Sequence, residues 1–457
     1  MTSSNRSYCV VGGGISGLVA AYRLRRAAGD EANITLFEPG DRLGGVLRTE
    51  LLGGVPTDVG AEAFVVRRPE MPALLDELGL ANRQVGTTGA RPLIYSQDRL
   101  HPLPTATLNG IPSSAESMAG LVNDATLARI NSESGRPLTW QSGSDPAVAD
   151  VVGDRFGDQV VARSVDPMLG GVYAGSASTI GLRSAAPSLA AALDGGAANL
   201  IDAVRGALMS VTAGPVFGAV SGGYTVLIDE LARRGRPAWV HSAMRSIEPA
   251  EQGWTLRDET GGQWRADAVV LAVPAARLAG LVEGVAPRTA AAARRIVSAS
   301  SVVVARAVPR GLQFPQNSGV LVASGESLHA KAITLSSRKW GRGTDLELLR
   351  LSFGRLGDDV AASASDEELL AWAIEDLATV FGLAVEPVDV RVQRWPDAMP
   401  QYAPGHRDLV AELRAGLPST VMVAGSYLDG IGVPACIGAA GRAAAAAVRA
   451  VETPVAR

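Results

Sequence analysis

Apolar and polar positions along the chain alternate between strand-like runs and helical spacings from the first residues onward. Tyr8 to Val11 form a short apolar run, glycines interrupt it, and residues 16–27 then repeat at helical spacing. A second apolar run, Ile34-Thr35-Leu36-Phe37, follows. This order predicts a strand, a crossover helix and a parallel strand. An alternating stretch before Asp58 predicts a hairpin, and residues 69–80 predict a short helix ending at a glycine. Residues 90–112 predict short strands among prolines, and residues 113–208 predict mainly helix. Within them Val148, Val152, Phe156 and Val160 recur on one face, while the polar, Gly- and Pro-bearing residues 136–145 predict a flexible connection. Gly222-Gly223-Tyr224 opens a helix through Leu231, and residues 238–247 predict one strand. Further strands are predicted at 254–256 and at 268–273, the latter stopped by Pro274. Residues 298–393 alternate strand-like runs with one strong helix, 366–381. The chain closes with a buried strand at 420–424, two glycine turns and an alanine-rich helix over 438–450.

The pattern predicts an α/β chain. Residues 1–88, 212–290 and 402–457 are expected to assemble one discontinuous Rossmann-like, nucleotide-binding domain. Residues 89–112 and 291–401 are expected to form a mixed α+β substrate-binding domain, and residues 113–211 a helical insertion. A length of 457 residues accommodates such a division.

Composition narrows the chemistry. The chain is 47% apolar and 19% charged, with a net charge of −4 and no basic patch, which argues against nucleic acid as a partner. Cys9 and Cys436 stand alone, with no CxxC or His/Cys cluster, so neither a disulfide framework nor a structural metal is expected, and a reducing cytoplasm fits. The polar start, residues 1–6, offers no signal peptide, and no run of about 18 apolar residues predicts a membrane span. A peripheral membrane contact, through the helical insertion, stays open. Lys331 and Lys339 are the only lysines.

The turn Gly12-Gly13-Gly14-Ile15-Ser16-Gly17 between the first strand and helix carries the most specific chemistry. Gly12 suits a tight turn, Gly14 lets a pyrophosphate approach the backbone, and Gly17 lets the helix pack on the strand. The free N–H groups of the helix start favour phosphate. Glu38 ends the second strand, where its carboxylate suits an adenosine ribose. Arg42, between Asp41 and Gly44-Gly45, reads as a salt bridge to Asp41 or as a cation near the ligand. Gly430 to Pro434, entering a helix near Ala435, predicts N–H groups aimed at the electron-rich end of a reduced flavin. A permanently held FAD suits these three separated glycine elements better than an exchangeable nicotinamide cofactor.

Together these motifs resemble the FAD enzymes of the monoamine oxidase/phytoene desaturase superfamily. The run Asp166-Pro167-Met168-Leu169-Gly170-Gly171-Val172-Tyr173-Ala174-Gly175 resembles, more narrowly, the hallmark of the protoporphyrinogen/coproporphyrinogen III oxidase family, especially its Gram-positive, actinobacterial members. So do Gly222-Gly223-Tyr224, Trp395-Pro396, Met399-Pro400-Gln401-Tyr402 and Gly405-His406. The resemblance spans essentially the whole chain. It implies FAD held by Gly12 to Gly17, Glu38, Pro39 and Arg42, with Gly60, Ala61, Glu62 and Ala63 along the flavin. It further implies Met244 backbone at the adenine, Trp395 near the flavin, and Ile431, Gly432 and Val433 closing over its ring. The implied reaction removes six electrons from a porphyrinogen, with O2 as acceptor giving H2O2, in haem biosynthesis, with hand-over to a downstream enzyme left open.

Coproporphyrinogen III is the expected substrate and protoporphyrinogen IX the alternative. Rivals are another FAD amine oxidase or desaturase, and a non-catalytic escort protein of the same fold. No catalytic base is expected, because the flavin does the chemistry and the product is aromatic; the four histidines read as structural. Arg67 and Arg68 are candidates for bidentate contact with substrate propionates, against a reading as solvated charges. Tyr173 is a candidate to line the slot or to join the core.

Overall fold

In a computed structural model, the structure describes residues 6–209, 214–342 and 345–452. The expectations placed on residues 1–5, on the boundary at 211/212 and on the last five residues lie outside the described residues.

Strand Ser7–Val11 pairs in parallel with Asn33–Phe37 on one side and with Ala268–Leu271 on the other. Ala238–Val240 and Val421–Val423 extend these edges, giving a parallel sheet of five strands among the described residues. Its central strands are buried on both faces, which explains their nearly unbroken apolar sequences. One face packs on helices Ile15–Ala28, Thr225–Gly235 and Val433–Glu452, with Val10, Leu18, Leu227 and Ala440 in the shared core. The other packs on Leu278, Ala290 and Leu413 from three further helices and on Trp254 and Leu256. The predicted strand–helix–strand unit is therefore present, and strands from three distant stretches of chain share its sheet.

A second sheet carries seven strands among the described residues, with the long antiparallel strands Ser298–Pro309, Leu346–Phe353 and Asp389–Pro400 at one side. Helix Asp366–Phe381 covers one face, burying Leu369, Ala373 and Leu377 against Val302, Val304, Leu349, Leu351 and Phe353. Ser365 caps this helix reciprocally with Glu368, the capping box that makes its start sharp. Ala305, Ala307 and Leu348 on the opposite face meet Leu52 and Val59, which lie in and just beyond the hairpin Thr49–Leu52/Val55–Asp58. The hairpin therefore joins the two sheets, and the chain just after it, from Gly60, lies between them.

Residues 115–204 contribute a separate helical core around Val148, Val152, Phe156 and Val160. The helix bearing this stripe ends at Phe156, because Gly157 takes a left-handed φ of 92° and a new helical turn starts at Asp158.

Three expectations need correction. Residues 238–247 are two strands in two sheets, Ala238–Val240 and Met244–Pro249, since Ser242 N–H turns back to the Val240 carbonyl. Residues 136–145 are irregular but pinned: Arg155 donates to the carbonyls of Arg136 and Pro137, and Trp140 donates to Asp194 at 2.9 Å. Arg155 is itself buried beside Glu133, 2.6 Å away. The last helix begins at Val433, two residues before the entry expected near Ala435 and ahead of the alanine-rich run 438–450, because Pro434 suits a first helical turn. Among the described residues no helix is long and apolar enough to cross a membrane.

Candidate active site

The glycine turn is built around one very close approach. A Cβ on Gly17 would collide with the Gly12 carbonyl oxygen, and one on Gly12 with the Ala272 carbonyl oxygen. The opening helix can thus sit directly on the first strand only with glycine at these points. Gly14 precedes the helix without any side-chain cap, so the first-turn N–H groups of Ile15, Ser16 and Gly17 have no side-chain acceptor. Gly13 accepts from Gly44 N–H at 2.8 Å, and Gly14 bridges Gly44, which brings the Arg42–Gly45 turn onto the helix start.

Glu38 accepts from Gly13 N–H at 2.8 Å through Oε2 and from Gly40 N–H at 3.0 Å through Oε1. Each oxygen keeps a lone pair free for a ribose hydroxyl. Pro39 is exposed beside it, and the Trp239 indole donates to the Glu38 carbonyl at 3.1 Å. Met244 starts the strand that follows this Trp239–Val240 edge. Arg42 does not pair with Asp41. Its guanidinium holds its own turn instead, donating to the carbonyls of Leu43, Leu47 and Gly45, and burial lowers its pKa. The guanidinium forms no ion pair among the described residues, although Asp41, Glu38 and Glu50 lie close enough to favour its charge.

The C-terminal turn arrives at the same place. Helix Val433–Glu452 packs on the opening helix, and Cys436 meets Ser16 there. Gly432 accepts from Ala435 and Cys436 N–H groups, Val433 enters the core of the five-stranded sheet, and Ile431 packs on the helical core. Two helix N-termini therefore converge, an arrangement suited to an anionic ligand. This geometry fits FAD: uncapped N–H groups for the pyrophosphate, an acid for the ribose and a second helix start for the ring.

Gly60 to Ala63 connect this region with the seven-stranded sheet. Trp395 donates to the Val59 carbonyl at 3.0 Å, and its ring lies 3.1 Å from where a Gly60 Cβ would stand. Arg350 donates to the Gly60 carbonyl at 2.5 Å. Glu62 is buried and accepts from Ser336 at 2.7 Å and from Lys339 at 2.9 Å, with Arg350 at 3.6 Å. Burial alone would raise its carboxyl, but Lys339 and Arg350 hold it well below the usual carboxylate range. Asp58 is also buried, and burial pushes it up to about 6. The Glu62–Lys339–Arg350 cluster was not legible from spacing, since Glu62 and Lys339 are 277 residues apart.

Arg67 and Arg68 are both exposed. Arg67 donates to the Gly214 carbonyl at 3.1 Å; Arg68 pairs with Glu70 at 2.7 Å, and its guanidinium lies near Gly430. Tyr173 ends helix Asp166–Tyr173, its ring 5.7 Å from that of Tyr402, and its carbonyl accepts from Gln401 at 2.8 Å. Of the histidines, His406 is buried and bonded to the Tyr427 carbonyl at 2.9 Å, and His241 stacks on Trp239. Cys9 and Cys436 are buried and free.

Fold and site together define an FAD-dependent oxidoreductase. Residues 15–448 match the family described as flavin containing amine oxidoreductase, and the chain belongs to that family. Within it the chain groups with porphyrinogen oxidases. It is 72% identical over 452 residues to the coproporphyrinogen III oxidase of Mycobacterium tuberculosis (strain ATCC 25618 / H37Rv), covering 99% of both chains. The Bacillus subtilis (strain 168) coproporphyrinogen III oxidase is 26% identical, with 96% of this chain and 97% of that protein covered. Among solved structures, an Exiguobacterium sp. 255-15 protein provisionally named protoporphyrinogen oxidase superposes with a TM-score of 0.87 at 26% identity, covering 97% of this chain and 98% of that one. Cyclohexylamine oxidase from Brevibacterium oxydans shares the fold, with a TM-score of 0.71 at 17% identity over 98% of this chain and 100% of that one.

Proposed function

We propose that the protein oxidises coproporphyrinogen III to coproporphyrin III, removing six electrons in three two-electron steps. Bound FAD supplies a two-electron hydride acceptor that dioxygen reoxidises, with hydrogen peroxide as product. The observation that carries the substrate assignment is the hallmark run on helix Asp166–Tyr173, which lies against the seven-stranded sheet with Gly170 at Arg355 and Gly171 at Leu321. The 72% identity to a named coproporphyrinogen III oxidase supports the same reading. Residues 1–88, 212–290 and 402–457 are proposed as the FAD-binding domain, residues 89–112 and 291–401 as the substrate-binding domain, and residues 113–211 as the helical insertion.

In this reading Gly12 to Gly17, Glu38, Pro39, Arg42, Met244 and Ile431 to Val433 hold the cofactor. Gly60 to Ala63 and Trp395 form the wall between cofactor and substrate. Glu62 fixes that wall to the sheet through Lys339 and Ser336. Arg67 and Arg68, at the rim by Gly430, orient substrate carboxylates, while Tyr173 contributes an edge against Tyr402. No side chain is assigned as a strong base: proton loss from the tetrapyrrole is driven by aromatisation, so binding and orientation carry the residues' contribution. Initial rates with coproporphyrinogen III and protoporphyrinogen IX in one buffer, with oxygen uptake and peroxide followed, test the reading. A higher kcat/KM for coproporphyrinogen III is expected, and a clear preference for protoporphyrinogen IX overturns the assignment.

A further inference from the structure

Two cations near the hallmark helix have no role in the site described so far. Along strand Leu346–Phe353 the side chains alternate, and Leu349, Leu351 and Phe353 lie under helix Asp366–Phe381. Arg350 and Ser352 therefore stand on the other face, where Arg350 reaches the Gly60 carbonyl. At Gly354, with φ 85°, the chain turns, and Arg355 lays its guanidinium against helix Asp166–Tyr173. A Cβ on Gly170 would stand only 2.5 Å from Arg355 Nη1, so glycine admits the guanidinium there. Gly171 lies over Leu321, which extends the helix across the same end of the sheet.

Neither cation forms an ion pair among the described residues, although Asp166 and Asp358 lie near Arg355 and Asp358 lies near Lys331. Arg355 donates to the Val322 carbonyl at 3.4 Å, and its Nη1 is buried without an acceptor. The Lys331 amine is buried and donates to Ser301 Oγ at 2.9 Å, to the Phe353 carbonyl at 3.1 Å and to the Gly354 carbonyl, all neutral. Both residues line a cavity of about 250 Å³, together with Val322, Ser324 and His329. The nearby acids already accept other hydrogen bonds or face other groups. Asp166 accepts from Ala177 N–H and the Ser324 hydroxyl, Asp358 from Arg355 N–H, Glu326 from Gln97 N–H, and Glu375 faces His329.

We propose that Arg355 and Lys331 form a second carboxylate-binding subsite, which takes a propionate of the tetrapyrrole at the end of the slot remote from Gly60. A carboxylate there supplies the missing acceptor to Arg355 Nη1 and a negative charge beside the Lys331 amine, whose three donors are already used, and its planar oxygens suit the guanidinium. Two subsites at opposite ends, Arg67/Arg68 at the rim and Arg355/Lys331 under the helix, favour a substrate with carboxylates around its whole periphery. A tetrapyrrole that carries vinyl groups in place of two propionates leaves one subsite partly empty, with its cations unpaired.

The inference rests on the porphyrinogen reading, and one titration separates the two. Coproporphyrin III and its uncharged tetramethyl ester are titrated into the FAD-loaded enzyme, following porphyrin fluorescence, for the wild type, Arg355→Gln and Arg355→Lys. Arg355→Gln is expected to weaken the tetra-acid roughly tenfold, leave the ester and the bound FAD unchanged, and recover partly in Arg355→Lys. Equal weakening of acid and ester, or no change in either, overturns the subsite while leaving the reaction standing. Failure of the wild type to bind coproporphyrin III overturns both. If Arg355→Gln does not fold, Lys331→Met answers the same question by the same comparison of acid with ester.

Discussion

Replacing Glu62 by glutamine removes one negative charge from a largely buried cluster and keeps its shape. The wild-type carboxylate balances Lys339 at 2.9 Å and Arg350 at 3.6 Å, and its exposure is only 8%. After the change Lys339, 20% exposed, and Arg350, 9% exposed, share a mostly buried site without that carboxylate between them. Breaking a buried pair from one side typically costs about 3–5 kcal/mol. The companion change Lys339→Met should cost less when made on top of Glu62→Gln than when made alone, with a coupling of about 1–3 kcal/mol. Urea unfolding of the wild type, both single variants and the double variant measures this cycle. Flavin fluorescence reports in parallel whether FAD is released before the chain unfolds. Because the cluster anchors Gly60 to Ala63, earlier FAD release is expected in Glu62→Gln. A Glu62→Gln variant within about 0.5 kcal/mol of wild type, the range of an ordinary surface change, would refute the clamp.

Further outcomes follow from other parts of the site. Gly17→Ala should yield a chain that expresses poorly or purifies without FAD, since the added methyl strikes the Gly12 carbonyl; a yellow, stable variant would contradict the close packing. Arg67→Ala or Arg68→Ala should raise KM for the porphyrinogen several-fold at constant FAD content, and unchanged kinetics in both would misplace the rim carboxylate contacts. Burial pushes the Lys331 amine down to about 7 from an ordinary 10.5, so the unfolded chain binds a proton that the native state lacks between those values. Stability should therefore rise with pH from about 7 upward, by at most about 1.4 kcal/mol per unit, and Lys331→Met should flatten that rise in pH-dependent urea midpoints.

Local physics explains which features were legible in the chain. The strand–glycine turn–helix–strand order with Glu38 is encoded within about thirty consecutive residues, so its geometry follows from short-range sterics. Helix Asp366–Phe381 was equally clear, because the Ser365 cap, an acidic first turn and Gly382 mark both ends. The break inside residues 238–247 was hidden, since neither Gly nor Pro marks it and only a turn at Ser242 separates the two strands. The fixed loop 136–145 owes its order to Arg155 and Asp194, partners that its own composition does not announce. Arg42 showed the same limit: the sequence offered Asp41 as its neighbour, whereas three carbonyls of its own turn hold it. Long-range charge clusters were the least visible. Glu62 looked like one more residue beside a flavin, until the fold brought both Lys339 and Arg350 to it.

Anaerobic mixing of the FAD-loaded enzyme with coproporphyrinogen III tests the central claim most directly. The account predicts loss of the yellow flavin absorbance as porphyrin forms, with each fully oxidised tetrapyrrole bleaching three flavins, and full return of the colour on admitting oxygen. A flavin that stays yellow with the porphyrinogen but bleaches with a simple amine would contradict it.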